Sequence, residues 1–224
     1  MLANVVRVIQ REGLPGAWRR IVDRVHFYTT PVRREWDDEF NVETATPVLI
    51  SKLAVKSRNT RFACHYEPIG ADRFHKMMRR LDVDHSQFTF VDVGSGKGKG
   101  LLLAAAYPFK ECIGVEFSRE LDAIAQKNFA SYRGPVLCPL RSVVKDATEF
   151  TFPDSPMVVY FYNPFEAAVI GPVLHNLKRS KADPLYVLYY YPPSRFAEFP
   201  EERGTFDAAF TSLLETEGCT LYRR

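Results

Sequence analysis

Residues Phe90 to Gly100, FVDVGSGKGKG, place four glycines and two lysines directly behind a short apolar run. Glycine has no Cβ to hold a ligand off, so such a loop lets backbone approach a phosphate or a nucleoside closely. The spacing decides which. A phosphate-cradling loop needs G-x-x-x-x-G-K-[ST]; here Val93 stands where the first glycine should be and Gly100 where the metal-binding hydroxyl should be. A dinucleotide fingerprint needs G-x-G-x-x-G, and counting from Gly94 and Gly96 its third glycine falls on Lys99. What fits is D-x-G-x-G-x-G over Asp92, Gly94, Gly96 and Gly98, a pattern suited to a ligand with a methionine-like amino acid, whose ammonium the Asp92 carboxylate would engage. The next apolar segment, ECIGVEF, contains Glu116, 18 residues after Gly98, where an acid can accept both hydroxyls of a ribose.

These residues need a scaffold of strands and helices to hold them. The apolar pattern predicts strands at 88–93, 111–116, 141–144, 157–162 and 185–191, and helices at 71–81, 98–107, 119–131, 166–179 and 204–217. Strands that read as continuous apolar runs, such as MVVYFY and LYVLYYY, and that alternate with helices imply a parallel sheet covered on both faces. After the helix at 204–217 only CTLYRR remains, enough for one closing strand. The first 60 residues mix short apolar clusters with arginines, prolines and glycines. They predict two amphipathic helices, at 2–11 and 16–26, then a basic-then-acidic irregular segment.

The loop and the spaced acid resemble those of the class I S-adenosylmethionine-dependent methyltransferases over residues 62–191. VDVGSGKGKGLLLAAA followed by GVEFS is most similar to the non-SET histone lysine methyltransferases of the disruptor-of-telomeric-silencing type and to the ATP synthase c-subunit lysine methyltransferases. The resemblance implies an α/β, Rossmann-like, doubly wound and mainly parallel sheet, and with the segment pattern above it divides the chain into an N-terminal helical cap at 1–60 and a cofactor-binding domain at 61–224. It implies S-adenosylmethionine as cofactor, with Asp92, Gly94, Ser95, Gly96 and Gly98 around the methionine part and Glu116 on the ribose. HYEPIG places Tyr66 and Glu67 where the histone enzymes carry a cofactor-closing Tyr-Gly-Glu loop, although Pro68 follows the glutamate here. Asp146, with Ala147 beside it, falls where such enzymes accept a hydrogen bond from the adenine amino group; an ordinary turn before a helix cap is the alternative.

The fourth strand runs into Asn163, Pro164 and Phe165, at the carboxyl end where ligands of parallel sheets bind. An amine nucleophile must arrive neutral. The Asn163 oxygen and the Pro164 carbonyl can accept its N–H groups, and the Phe165 ring can cover a partly cationic nitrogen. The triplet resembles the Asn-x-Phe of the histone enzymes and, less closely, the Asn-Pro-Pro-Tyr of nucleic-acid amino-methylases. A protein lysine is therefore the first expected acceptor, ahead of a small-molecule amine or a nucleic-acid base; a cofactor-binding scaffold without catalysis is the reading from another class. Tyr189 to Tyr191 are either an aromatic wall of the acceptor pocket or buried strand residues.

Composition narrows the rest. With 30 basic against 27 acidic side chains, a net charge of +3 is too mild to be an electrostatic footprint by itself, which leaves nucleic acid open as a partner but unsupported. Cys64, Cys112, Cys138 and Cys219 are far apart, which argues against a zinc knuckle or a disulfide framework and suggests a reducing, cytoplasmic setting. No apolar run reaches a membrane-spanning length, the five histidines show no metal-like spacing, and Lys97 and Lys99 read as solvated loop charges.

Overall fold

The computed structural model describes residues 31–55, 57, 59–60, 63, 65–162, 165, 167–190, 200–216 and 218–224, together with Gly13. The helices expected at 2–11 and 16–26 lie outside the described residues. The chain divides into the units Met1–Arg33 and Arg34–Arg224, and the second carries the sheet.

That sheet has seven strands. In chain order they are β1 (Thr89–Val93), β2 (Glu111–Glu116), β3 (Leu140–Val144), β4 (Met157–Tyr162), β5 (Leu185–Tyr190), β6 (Thr211–Thr216) and β7 (Cys219–Arg223), and in space they run β3-β2-β1-β4-β5-β7-β6. β1 to β5 are mutually parallel, whereas β7 is antiparallel to both β5 and β6. The helices are α1 (Glu35–Phe40), α2 (Ala71–Met78), α3 (Lys99–Ala104), α4 (Arg119–Ser131), α5 (Ala167–Arg179) and α6 (Pro200–Asp207).

Alternation along each strand builds two cores. Val91, Val93, Met157, Val159 and Phe161 point to one face, where α5 adds Val169, Ile170, Val173 and Leu177, and Phe206, Phe210 and Tyr222 close the layer. Phe90, Val158 and Tyr160 point to the other, meeting Phe74, Met77 and Met78 of α2 and Leu101 and Leu103 of α3. Each fully buried side chain of this size contributes about 1.5–3 kcal/mol, which holds both layers on the sheet.

α4 starts and stops where the sequence predicts, because Ser118 accepts a 3.2 Å hydrogen bond from the Leu121 amide and Glu120 and Asp122 fill the first turn. α2 and α3 are shorter than expected. α3 stops at Ala104 because Pro108 biases Tyr107 out of helical geometry, and the intervening residues form a turn.

The C-terminal expectation needs correcting. The segment read as a helix over 204–217 divides into the end of α6 and the strand β6, so the sheet closes with a hairpin of two strands instead of one. Leu213 and Leu214 favour helix locally, but pairing with β7 overrides that preference, a bulge at Ser212/Leu214 lets Leu213 stay about half exposed, and Gly218 turns the chain at φ 81°.

Candidate functional site

Asp92 at the penultimate position of β1 and Glu116 at the end of β2 lie on adjacent parallel strands, and the loop after β1 passes between them and solvent. Gly94, Ser95 and Gly96 line an open cleft together with Asp92, Glu116 and Tyr66. Gly96 must be glycine. Its φ is 54°, and a Cβ there would sit 2.3 Å from the Tyr66 ring, which lies directly over the loop. Gly98 does not line the cleft; its Cα faces Phe129 of α4.

Glu116 holds the loop in place. Its Oε2 accepts the Gly96 amide and its Oε1 the Ser118 amide, both at 2.8 Å. The carboxylate is 3% exposed, and burial pushes its pKa up to about 7 although hydrogen bonds from Ser118, Gly96 and Phe117 pull the other way. Asp92 is equally buried and is pushed up to about 8, first by burial and then by the nearby Glu116 charge. Two costly carboxyl groups in one cleft are what a cationic, hydroxyl-bearing ligand would relieve.

The N-terminal flank of this unit builds the other wall. An antiparallel bridge joins Val48 to Tyr66, and the Tyr66 hydroxyl donates to the Thr44 carbonyl at 2.8 Å. Asn128 of α4 joins that flank to the glycine loop: its Nδ2 donates to the carbonyls of Lys97 at 2.9 Å and Glu43 at 3.0 Å, while its Oδ1 accepts the Glu43 amide at 2.8 Å.

Lys97 and Lys99 are not the solvated charges the sequence suggests, since both are buried. Lys97 Nζ bonds both Glu43 carboxylate oxygens, at 2.7 and 2.9 Å, and the Thr46 carbonyl at 2.8 Å, over the Tyr66 ring. Lys99 Nζ sits 4.5 Å from the Trp36 ring centroid and 4.0 Å from Asp37. Asp37 is itself buried and engaged by the Thr44 hydroxyl and the Ala45 amide at 2.6 Å each.

Asp146 lines the cleft with Ala147. Its carboxylate is already engaged by the chain: Oδ2 accepts from Ser57 Oγ at 2.5 Å and Asn59 Nδ2 at 3.0 Å, and Oδ1 from the Thr148 hydroxyl at 2.7 Å and amide at 3.0 Å. Burial raises its pKa, but the hydrogen bonds from Ser57, Thr148 and Asn59 outweigh burial, so the group stays below the usual range and ionised. Its capping of the short turn at Ala147–Glu149 also matches the plain turn reading.

Tyr66, Glu67 and Phe165 line the cleft, and the Phe165 backbone pairs with Ala63. Asn163 and Pro164 lie outside the described residues, as does Tyr191. Tyr162 lines the cleft and stacks on Tyr190 at 4.8 Å, whereas Tyr189 is fully buried and stacks on Phe206.

No family model matches the chain, and no curated protein matches it in sequence. Solved structures do match. A SAM-dependent O-methyltransferase of Thermotoga maritima superposes with a TM-score of 0.54 at 11% identity, covering 70% of this chain and 66% of that one. A structure from work on the conversion of a disulfide bond into a thioacetal group during echinomycin biosynthesis superposes at 0.50 with 14% identity, covering 68% of this chain and 81% of that one. The fold is that of the class I methyltransferases. Its strand order, with an antiparallel β7 inserted between β5 and β6, is the class I methyltransferase topology. The comparisons show the fold alone and give no support to the histone lysine type.

In the class I methyltransferase fold the strand order reverses between β1 and β4, and the cleft opens at that switch point. Four buried polar side-chain atoms lack a hydrogen-bond partner among the described residues, and two of them, Ser95 Oγ and Tyr160 OH, belong to residues lining this cleft beside Asp92. Orphaned donors next to raised carboxyl groups fit the amino-acid end of S-adenosylmethionine. Among the described residues no helix is long and apolar enough to cross a membrane, and no cluster of three His, Cys, Asp or Glu could hold a metal.

Sequence reasoning missed Asp37, Glu43, Asn128 and Tyr160. The acidic run REWDDEF contains Asp37, but nothing local says that it folds back beneath the glycine loop.

Proposed function

We propose that the protein is an S-adenosylmethionine-dependent methyltransferase that methylates an amine nitrogen, with a protein lysine as the acceptor. The observation that carries the cofactor reading is the pair Asp92 and Glu116, buried at the carboxyl ends of neighbouring strands on either side of a glycine turn. Asp92 would take the ammonium of the amino-acid part. Glu116 would take the ribose at the lone-pair position left after accepting the Gly96, Ser118 and Phe117 amides. Gly94 and Gly96 let the backbone approach, and Ala147 and Asp146 flank the adenine end, where Ser57 and Asn59 now occupy the carboxylate. When bound, the cofactor supplies a methyl group made electrophilic by its sulfonium.

The chain has to aim a neutral nitrogen at that methyl and tolerate the charge that develops on it. Tyr66, Tyr162 and Phe165 bring three aromatic rings to the cleft, a surround that favours a partly cationic nitrogen. Tyr162 is held neutral, since burial and the adjacent Tyr190 push its hydroxyl well above the usual range. Asn163 and the Pro164 carbonyl are assigned to accept the N–H groups. The acceptor ammonium loses one proton to water before attack, and the methylated nitrogen then keeps the charge that leaves the sulfonium, so little further acid-base machinery is required.

The test is transfer of radiolabelled methyl from S-adenosylmethionine to a cell extract, followed by acid hydrolysis and separation of methylated lysines. Label in methyl-lysine, reduced at least tenfold by Phe165→Ala, is the expected result. Label in a small molecule or in nucleic acid would replace the lysine reading, and tight cofactor binding with no labelled acceptor would favour the scaffold.

A further inference from the structure

Lys99 is the buried cation of this cleft. It is 7% exposed, it lines the same cavity as Asp92, Ser95 and Tyr160, and among the described residues no oxygen accepts a hydrogen bond from its ammonium. Its neighbours are an ion-pair partner at 4.0 Å, Asp37, and the Trp36 ring. Asp37 cannot serve it better, because the amides of Thr44 and Ala45 and the Thr44 hydroxyl already converge on that carboxylate. Lys97, two residues earlier, shows what a satisfied buried lysine looks like here, with acceptors for all three of its N–H groups. Lys99 lines the cleft with one ion-pair partner at 4.0 Å among the described residues, so an anion entering the cleft would find a cation to pair with.

We propose that Lys99 binds the carboxylate of the ligand's amino-acid part, so that with Asp92 on the ammonium the site selects a zwitterion. The inference rests on the cofactor reading above and adds a specificity determinant to it: a ligand with the same nucleoside and amine but no carboxylate should be rejected. Burial lowers the Lys99 pKa against the raising influence of Asp37, and an incoming carboxylate would reverse that penalty. The lysine is absent from the D-x-G-x-G-x-G pattern itself, which ends at Gly98.

The test is calorimetric titration with two probes, S-adenosylhomocysteine and 5′-deoxy-5′-(3-aminopropylthio)adenosine, which is the same molecule with hydrogen in place of the carboxylate. The wild-type protein should prefer the first by about 10- to 100-fold, the value of a charge-assisted hydrogen bond in a buried site. Lys99→Gln should weaken only the first, bringing the ratio close to one, and Lys99→Arg should restore part of it. A wild-type ratio near one overturns the inference without any variant. So does a Lys99→Gln protein that keeps the preference, or one that loses both ligands equally, which would make Lys99 a support for Trp36 and Asp37. Failure of the wild-type protein to bind either probe would instead overturn the cofactor reading and the inference with it.

Discussion

Replacing Asp92 with asparagine should make the protein more stable, and increasingly so as the pH rises. The folded state holds a proton on Asp92 up to about pH 8, whereas an unfolded aspartate loses it near 3.8. Between those values the unfolded state binds fewer protons, so the free energy of unfolding falls as pH rises, by about 1.4 kcal/mol per pH unit for one proton. Below both values the group contributes no slope. Asp92→Asn keeps the shape and removes the titration. The difference in unfolding free energy, variant minus wild type, should therefore grow by about 2.7 kcal/mol between pH 5 and pH 7, equivalent to about 5–11 °C in Tm for a chain of this size. His75 and His85 also titrate with lowered values, but they are present in both proteins and drop out of the difference; Glu116 interacts with Asp92 and titrates at about 7, so the comparison stops at pH 7. The assay is urea unfolding at half-unit pH steps without ligand. Parallel curves for the two proteins would refute the argument, because they would mean that the Asp92 carboxylate ionises in the folded protein as readily as in water.

Gly96→Ala should abolish ligand binding and cost at least about 1–3 kcal/mol of stability, since φ 54° and the Tyr66 ring at 2.3 Å leave no room for a methyl group; thermal melting and calorimetry check both. Asn128→Ala should destabilise by about 2–4 kcal/mol, as it strands the Glu43 amide and deprives the Glu43 and Lys97 carbonyls of their shared donor, whereas Asn128→Asp should leave only the amide served. Asn59→Ala should tighten binding of adenosine-bearing ligands several-fold if Asn59 competes with the adenine amino group for Asp146, and an unchanged Kd would assign that pair a purely structural role.

The sheet was legible because β1, β2, β4 and β5 are buried on both faces, so that β4 and β5 appear as unbroken apolar runs and β1 and β2 as mainly apolar ones. α4 was legible to the residue because its signals are local: a serine cap, two acids in the first turn and a three-to-four-residue apolar spacing. The hairpin was not, for the opposite reason. β6 is an edge strand with mostly exposed side chains, and only its pairing with β7 makes it a strand. In the site, Asp92, the glycines and Glu116 could be read from spacing along one β-turn-α-β unit. The burial of Lys97 and Lys99 could not, because a segment near residues 36–46, distant in sequence, covers them. Asp146 gives the same lesson: its type and position suggested a ligand contact, but Ser57 and Asn59, far earlier in the chain, bind it first.

Calorimetric titration with S-adenosylhomocysteine, beside NAD and ATP and repeated on Glu116→Ala, tests the cofactor assignment most directly. The account predicts binding of S-adenosylhomocysteine alone, weakened at least tenfold in the variant as the ribose loses its acceptor and Gly96 and Ser118 lose theirs. Preference for NAD or ATP, or equal binding by the variant, would contradict it.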